Sequence, residues 1–113
     1  MKIQRGEILR INLNPTIGRE QRGDARPCLV LSHTKYNISR QGIVIVSPIT
    51  NTIKPDIKVM IPIPDEFKIK GSVIAEQIRT LDLNQRWWKT TGEILPEDFV
   101  DYVVDIVTTI IRN

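Results

Sequence analysis

The sequence predicts a mainly β chain of the α+β class: a small, strongly bent antiparallel sheet or barrel with a helix closing one side. Three observations carry this reading. Five short segments between residues 7 and 78 alternate in polarity or run apolar over a strand's length. Little helical spacing falls between them. The segment after Pro96, by contrast, repeats its apolar residues at helical spacing.

Glu7 to Leu13 alternates, with Leu9, Ile11 and Leu13 on one face and Ile8, Arg10 and Asn12 on the other, and Asn14-Pro15 stops it. That pattern predicts a strand with one buried side. Cys28 to Leu31 is a short continuous apolar run, as in a central strand. His33 to Asn37 reads as a connection. Ile43 to Val46 reads as a third strand that finishes or bulges at Ser47-Pro48, because proline has no N–H to give to a ladder. Ile57 to Ile63 alternates again, and Pro62 argues for a sheet edge. Pro64 to Gly71 is a polar connection, and Ser72 to Ile78 is the fifth strand. Trp87 and Trp88 are adjacent, so they point in different directions and one can be core while the other is exposed.

At the C-terminus, Glu97 and Asp98 follow Pro96 as first-turn acids that complement a helix dipole. Asp98, Asp101, Asp105, Thr108 and Arg112 form a polar stripe, opposed by Phe99, Val103, Ile106 and Ile110. Val100, Val104, Val107 and Ile111 widen the apolar surface, a width consistent with burial by the sheet and by a second subunit.

A chain of 113 residues is expected to be one domain, spanning 1–113, large enough to bury a core without metals or disulfides. The single cysteine, Cys28, excludes an internal disulfide and a multi-cysteine zinc site. Its apolar neighbours Leu29 and Val30 make it a small buried residue rather than a nucleophile. The N-terminal MKIQRGEIL has no apolar run of signal-peptide length, and no segment approaches a membrane span, so a cytoplasmic protein without a membrane partner is expected. The net charge is only +3, but residues 1–40 hold eight Lys/Arg against three Asp/Glu, while residues 81–113 hold three against six. A basic front half fits a polyanionic ligand, and the acidic tail fits a solvated helix face. His33 is the only histidine, which excludes a two-histidine acid/base pair within one subunit.

Between the first two strands lies the long connection NPTIGREQRGDARP, beginning at Asn14. Loops of that length more often carry function than short ones do. Gly18 and Gly23 allow turns, and Pro27 sets φ where the next strand begins, so Arg26 stands at a rigid strand entrance. Arg19, Arg22 and Arg26 around Glu20 suit an anion site, a phosphate above all. On composition alone the same stretch reads as a solvated charged loop.

GREQRGDARPCLVLS, then SPITNTI from Ser47, then AEQIRTLD from Ala75, resemble the successive motifs of the MazF/PemK family, the endoribonuclease toxins of bacterial toxin–antitoxin pairs. The motifs fall in the family's order and cover most of the chain. The resemblance implies an SH3-like barrel with short helices and a C-terminal helix, working as a homodimer without cofactor or metal. It implies cleavage of single-stranded mRNA by attack of the 2′-OH on the adjacent phosphate, leaving a 2′,3′-cyclic phosphate and a 5′-OH. Arg26, in GDARP, matches the catalytic arginine, and Thr50, in PITN, matches the catalytic threonine. Without the resemblance Thr50 reads as a capping hydroxyl at a strand end.

Glu20, a carboxylate of the same loop, is a candidate for taking the 2′ proton or for placing the RNA. Arg19, Gln21, Arg22, Asn51 and Gln77 are the candidate RNA-binding residues, and Arg79 is expected to pair within the protein. Glu76 matches an acidic position of the Kid/PemK branch, but Ile74 stands where that branch has an arginine, so its version of the site is not carried over. The implied partner is an antitoxin whose disordered acidic tail lies along the same groove. The alternative is a non-enzymatic toxin on the same fold, resembling the gyrase poison CcdB, which would have no use for Arg26 with Thr50. A catalytically dead RNA-binding module would keep the basic loop and tolerate loss of Thr50.

Overall fold

Alternation along the first strand decides how the sheet is buried. The structure, a computed structural model, describes residues 2–15, 17–20, 23 and 25–112. In β1 (Glu7–Ile11), Leu9 and Ile11 join Leu13, Cys28, Val30, Val44 and Val46 in one core. Ile8, on the opposite face, is equally buried, in a second core with Leu29, Ile49, Val73, Val100 and Val103. The strand is therefore buried on both sides at Ile8 rather than on one. Each fully buried aliphatic side chain contributes roughly 1.5–3 kcal/mol.

The other strands are β2 (Arg26–Val30), β3 (Ile43–Thr50), β4 (Met60–Pro62), β5 (Ser72–Ile74), β6 (Arg79–Asp82) and β7 (Trp88–Ile94). They form one antiparallel sheet in the order β4-β5-β3-β2-β1-β7, with β6 also on β3. The expectation of a small bent antiparallel architecture with short helices and a C-terminal helix is borne out, with seven strands among the described residues rather than five.

β3 does not end at Ser47-Pro48. Pro48 pairs with Cys28 on the β2 side, while on the other side β6 covers Ile43–Val46 and β5 covers Ile49–Thr50. A residue without an N–H is tolerated where the neighbour changes. The expected strand from Ser72 to Ile78 is split for a related reason. From Val46 to Ile49 is three steps along β3, but their partners Arg79 and Val73 are six residues apart. The surplus is taken up by a 3-10 turn, Ala75–Gln77.

Ile57 does not yet pair. The Met60 amide donates to the Ile57 carbonyl at 3.1 Å, so the chain turns there and only Met60–Pro62 joins the sheet, at its edge as Pro62 implied. β4 and β7 end the sheet, and the gap is bridged by a side chain. The Glu93 carboxylate of β7 accepts from the amides of Lys68 (2.9 Å) and Ile69 (2.8 Å) in the β4–β5 loop.

The expected connection at His33–Asn37 is instead a helix, α1 (Thr34–Ser39), capped by His33, whose Nδ1 accepts from the Lys35 amide at 3.1 Å. Histidine is a weak capping signal, which hid the helix. Asn37 on α1 is buried and donates to the carbonyls of Ile3 (2.9 Å) and Ser32 (3.1 Å). Its Oδ1 accepts from the Ser32 hydroxyl, which in turn accepts from the Ile45 amide at 3.0 Å.

The C-terminal helix α2 (Glu97–Arg112) lies on the second core through Val100 and Val103, with Phe99, Val104, Ile106 and Val107 half-buried beside them. The expected apolar stripe stops short: Ile110 is 48% exposed, because the last turn runs beyond the core. Trp88 packs on the first core and Trp87 is exposed, the division expected of neighbours.

Asn37→Ala leaves two main-chain carbonyls and the Ser32 hydroxyl without their partner. It is expected to cost about 2–4 kcal/mol of stability, read as a shift of the urea unfolding midpoint.

Candidate active site

Arg26 opens β2, opposite Ile11 of β1, and is half-buried. Its Nη1 donates across to the Ile49 carbonyl of β3 at 3.4 Å. The β2–β3 register runs from Val30 against Val46 to Cys28 against Pro48, and beyond it the Arg26 side chain reaches the Ile49 carbonyl, one residue before Thr50. Thr50 ends β3 almost fully buried, and its Oγ1 accepts from the Thr52 amide at 3.3 Å, which leaves the hydroxyl proton to give. Arg26 and Thr50, assigned separately from two motifs, are thus brought close where β2 meets the end of β3.

The Thr50 main chain is set by a glycine. Gly71 has φ +120°, and a Cβ there would overlap the Thr50 carbonyl oxygen. Only a residue without a side chain fits this close approach before β5 pairs with Thr50.

Arg26 faces a cleft of about 480 Å³ that Arg10, Asn51, Lys68 and Lys70 also line. No acidic residue lines it among the described residues. Glu20 is elsewhere. It lines a separate groove with Glu76, Gln77 and Arg79, and its Oε1 accepts from the Ile17 amide at 2.7 Å, capping its own turn. Arg19 belongs to that side too, where its carbonyl accepts from Gln77 Nε2 at 3.2 Å. Of the sequence-derived candidates, Arg26, Thr50 and Asn51 therefore gather at one place, and Glu20, Arg19 and Gln77 at another. Gln21 and Arg22 lie outside the described residues.

The root of the long loop is held by two arginines. Arg79 donates to the Leu13 carbonyl at 2.9 Å, the internal pairing expected of it. Arg86 donates to the carbonyls of Asn12 (2.8 Å) and Asn14 (3.0 Å). Burial, and then the neighbouring Arg79, pull the Arg86 guanidinium below its usual value. Nothing local to QRWW marks Arg86 for this role, since its acceptors lie at the other end of the chain. Cys28 is the small buried residue expected: burial pushes its thiol up to about 12 against the opposing pull of Arg26 and Arg79.

A bent antiparallel sheet closed by a C-terminal helix, with a long β1–β2 loop beside it, is the architecture of the MazF-type toxins. A crystal structure of MazF from Deinococcus radiodurans matches with a TM-score of 0.86 at 27% identity, over 98% of this chain and 97% of that one. A MazE–MazF crystal structure from the same organism matches with a TM-score of 0.77 at 22% identity, over 98% and 97%. In sequence, the endoribonuclease toxin ChpB of Escherichia coli (strain K12) is 33% identical over 94 residues, 80% of this chain and 79% of ChpB. The family of PemK-like, MazF-like toxins of type II toxin–antitoxin systems matches residues 4–111, and the chain belongs to it. It is a homologue of endoribonuclease toxins. Among the described residues no helix is long and apolar enough to cross a membrane.

Gly71→Ala must push the Thr50 main chain aside and strain its own backbone. A loss of about 2 kcal/mol or more is expected in urea unfolding, whereas Gly18→Ala, with open space around it, costs less.

Proposed function

We propose that the chain is a metal-independent, sequence-specific endoribonuclease that cuts single-stranded mRNA in the cytoplasm and thereby stops translation and growth. The observation that carries this reading is the Arg26 guanidinium bonded to the main chain beside Thr50, at the edge of a cleft lined by cations. In RNA the 2′-OH attacks the adjacent phosphorus and the 5′ oxygen leaves, giving a 2′,3′-cyclic phosphate and a 5′-OH. The reacting phosphoryl group gains negative charge as this happens.

A guanidinium is protonated at neutral pH and a poor base, so Arg26 acts by stabilising the charge on a phosphoryl oxygen and can hand a proton to the leaving oxygen. Its bond to the Ile49 carbonyl aims the guanidinium along the strand end. The Thr50 hydroxyl donates to a second phosphoryl oxygen. Asn51 lines the same cleft and contacts the strand there. Glu20 caps its own turn in the other groove, which favours RNA placement over removal of the 2′ proton. Arg19 and Gln77 extend the RNA path along that groove, where the Gln77 amide, bonded to the Arg19 carbonyl, is placed to meet a base edge.

Arg26→Ala is expected to lower kcat by about 10²–10³-fold and Thr50→Val by a smaller factor. Both are measured on a long single-stranded RNA in EDTA with mapping of the new ends. Cuts confined to RNA, with 5′-OH ends, support the reading, and undiminished cleavage by Arg26→Ala removes its basis.

The partner of this toxin is an antitoxin with a disordered acidic tail, for which the cationic cleft is the complementary surface. The active form is a homodimer. An apolar groove of about 230 Å³ lies between the sheet and α2, walled by Leu31, Ile45, Ile78, Val104 and Val107. Ile78 at its rim is 36% exposed. Sedimentation is expected to give a dimer for the wild type and a monomer for Ile78→Asp.

A further inference from the structure

We propose that the loop between β4 and β5 is a second phosphate seat, in which Lys68 and Lys70 bind a backbone phosphate flanking the one held at Arg26. This inference rests on the endoribonuclease reading and deepens it. In FKIKG, residues 67–71, the alternation divides the side chains: Phe67 and Ile69 pack against the second core, while Lys68 and Lys70 are exposed. Both lysines line the same cleft as Arg26 and Arg10. Four cations line this cleft and none of the described residues lining it is acidic, so its potential favours a polyanion with more than one phosphate.

The seat is held rigid. Glu93 accepts from the Lys68 and Ile69 amides, and Gly71 abuts the Thr50 carbonyl at the other end of the loop. The lysines are therefore positioned relative to Thr50 by the loop main chain, held at one end by the Glu93 carboxylate and at the other by the Gly71 contact. Lys70 Nζ donates to the Asp65 carbonyl at 2.5 Å, which orients its ammonium and leaves two N–H donors. The Lys68 ammonium has no side-chain or carbonyl partner among the described residues. The Glu93 carboxyl sits below its ordinary value, held there first by the Lys68 amide and then by the Ile69 amide and the two lysine charges, against a desolvation cost. The anchor thus stays ionised at neutral pH. Glu93 is a positioning residue, acting on the RNA only through the loop.

The test pairs cleavage with binding. Wild type, Lys68→Ala/Lys70→Ala, Lys68→Arg/Lys70→Arg and Glu93→Gln are each assayed on unmodified single-stranded RNA in EDTA. Binding is measured against the same sequence fully 2′-O-methylated, which cannot be cut, across a salt series. The double alanine variant is expected to raise KM about tenfold with kcat within about twofold and the cut positions unchanged. Its log Kd against log salt slope should shrink by about 0.7, the value for one single-strand phosphate contact. The arginine pair should keep the wild-type slope, which separates lost charge from a damaged loop.

Glu93→Gln should raise KM several-fold although it removes a negative charge, because the Lys68 and Ile69 amides each use a different carboxylate oxygen and the variant puts a donating NH2 in place of one of them. Unchanged or lower KM in Glu93→Gln overturns the anchoring role. An unchanged salt slope in the double alanine variant, while wild type cleaves normally, overturns the phosphate seat and leaves the nuclease standing. If that variant instead weakens only the binding of a Glu/Asp-rich peptide, the lysines belong to a protein partner and the seat is again overturned. Failure of the wild type to cut RNA or bind its methylated copy removes the nuclease reading and the seat together.

Discussion

The main chain of β3 between Pro48 and Asn51 is gripped from both sides. From β2, the Arg26 guanidinium reaches the Ile49 carbonyl, and from the start of β5, Gly71 presses its backbone against the Thr50 carbonyl. Pro48 gives no N–H here, and the neighbour on that side changes from β6 to β5, so the ladder is thinnest where the site needs most precision. A side-chain bond and a glycine contact supply what the ladder does not. Thr50 stands where it does because of both, and so does every distance from it to the cationic cleft.

Arginines in this protein hold backbone before they hold anything else. Arg26 bonds the end of β3, and Arg79 and Arg86 bond the three carbonyls at the exit of β1. A charged donor on a neutral carbonyl keeps its positive potential, so an anion in the groove still meets it. The same residues can therefore shape a site and charge it. Cys28 lies within this field, yet burial outweighs the two arginines and leaves it an inert packing residue.

Strand pattern was legible wherever both faces of a segment had unlike neighbours. Glu7–Leu13 as a strand, the Trp87–Trp88 pair and most of the α2 stripe were readable, because side-chain period carries that information, while the burial of Ile8 on the second face and the exposure of Ile110 depend on what packs there. The expected end at Pro48 and the unbroken strand from Ser72 to Ile78 failed together. Both depend on how β5 and β6 share β3, and a three-residue surplus between two registers leaves no local mark. Helix α1 was hidden by a histidine cap and by the absence of a long apolar stripe in six residues. At the site, Arg26 and Thr50 were found through motifs. Gly71, Arg86 and Glu93 were missed, because each acts through a main-chain group distant in sequence.

The amino-acid sequence by itself determined the class of architecture, the terminal helix, the basic bias of the front half and the family to which the chain belongs. Those properties are carried by residue type and short-range spacing, which need no neighbour to be read. Only the tertiary structure decided that Arg26 reaches the main chain beside Thr50, that Glu20 lies in another groove, and that Lys68 and Lys70 line the cleft of Arg26. Each of these is a matter of strand register and of which loop crosses which edge. Register is set by the joint fit of two buried faces and of backbone donors to acceptors, a sum over contacts far apart in the chain.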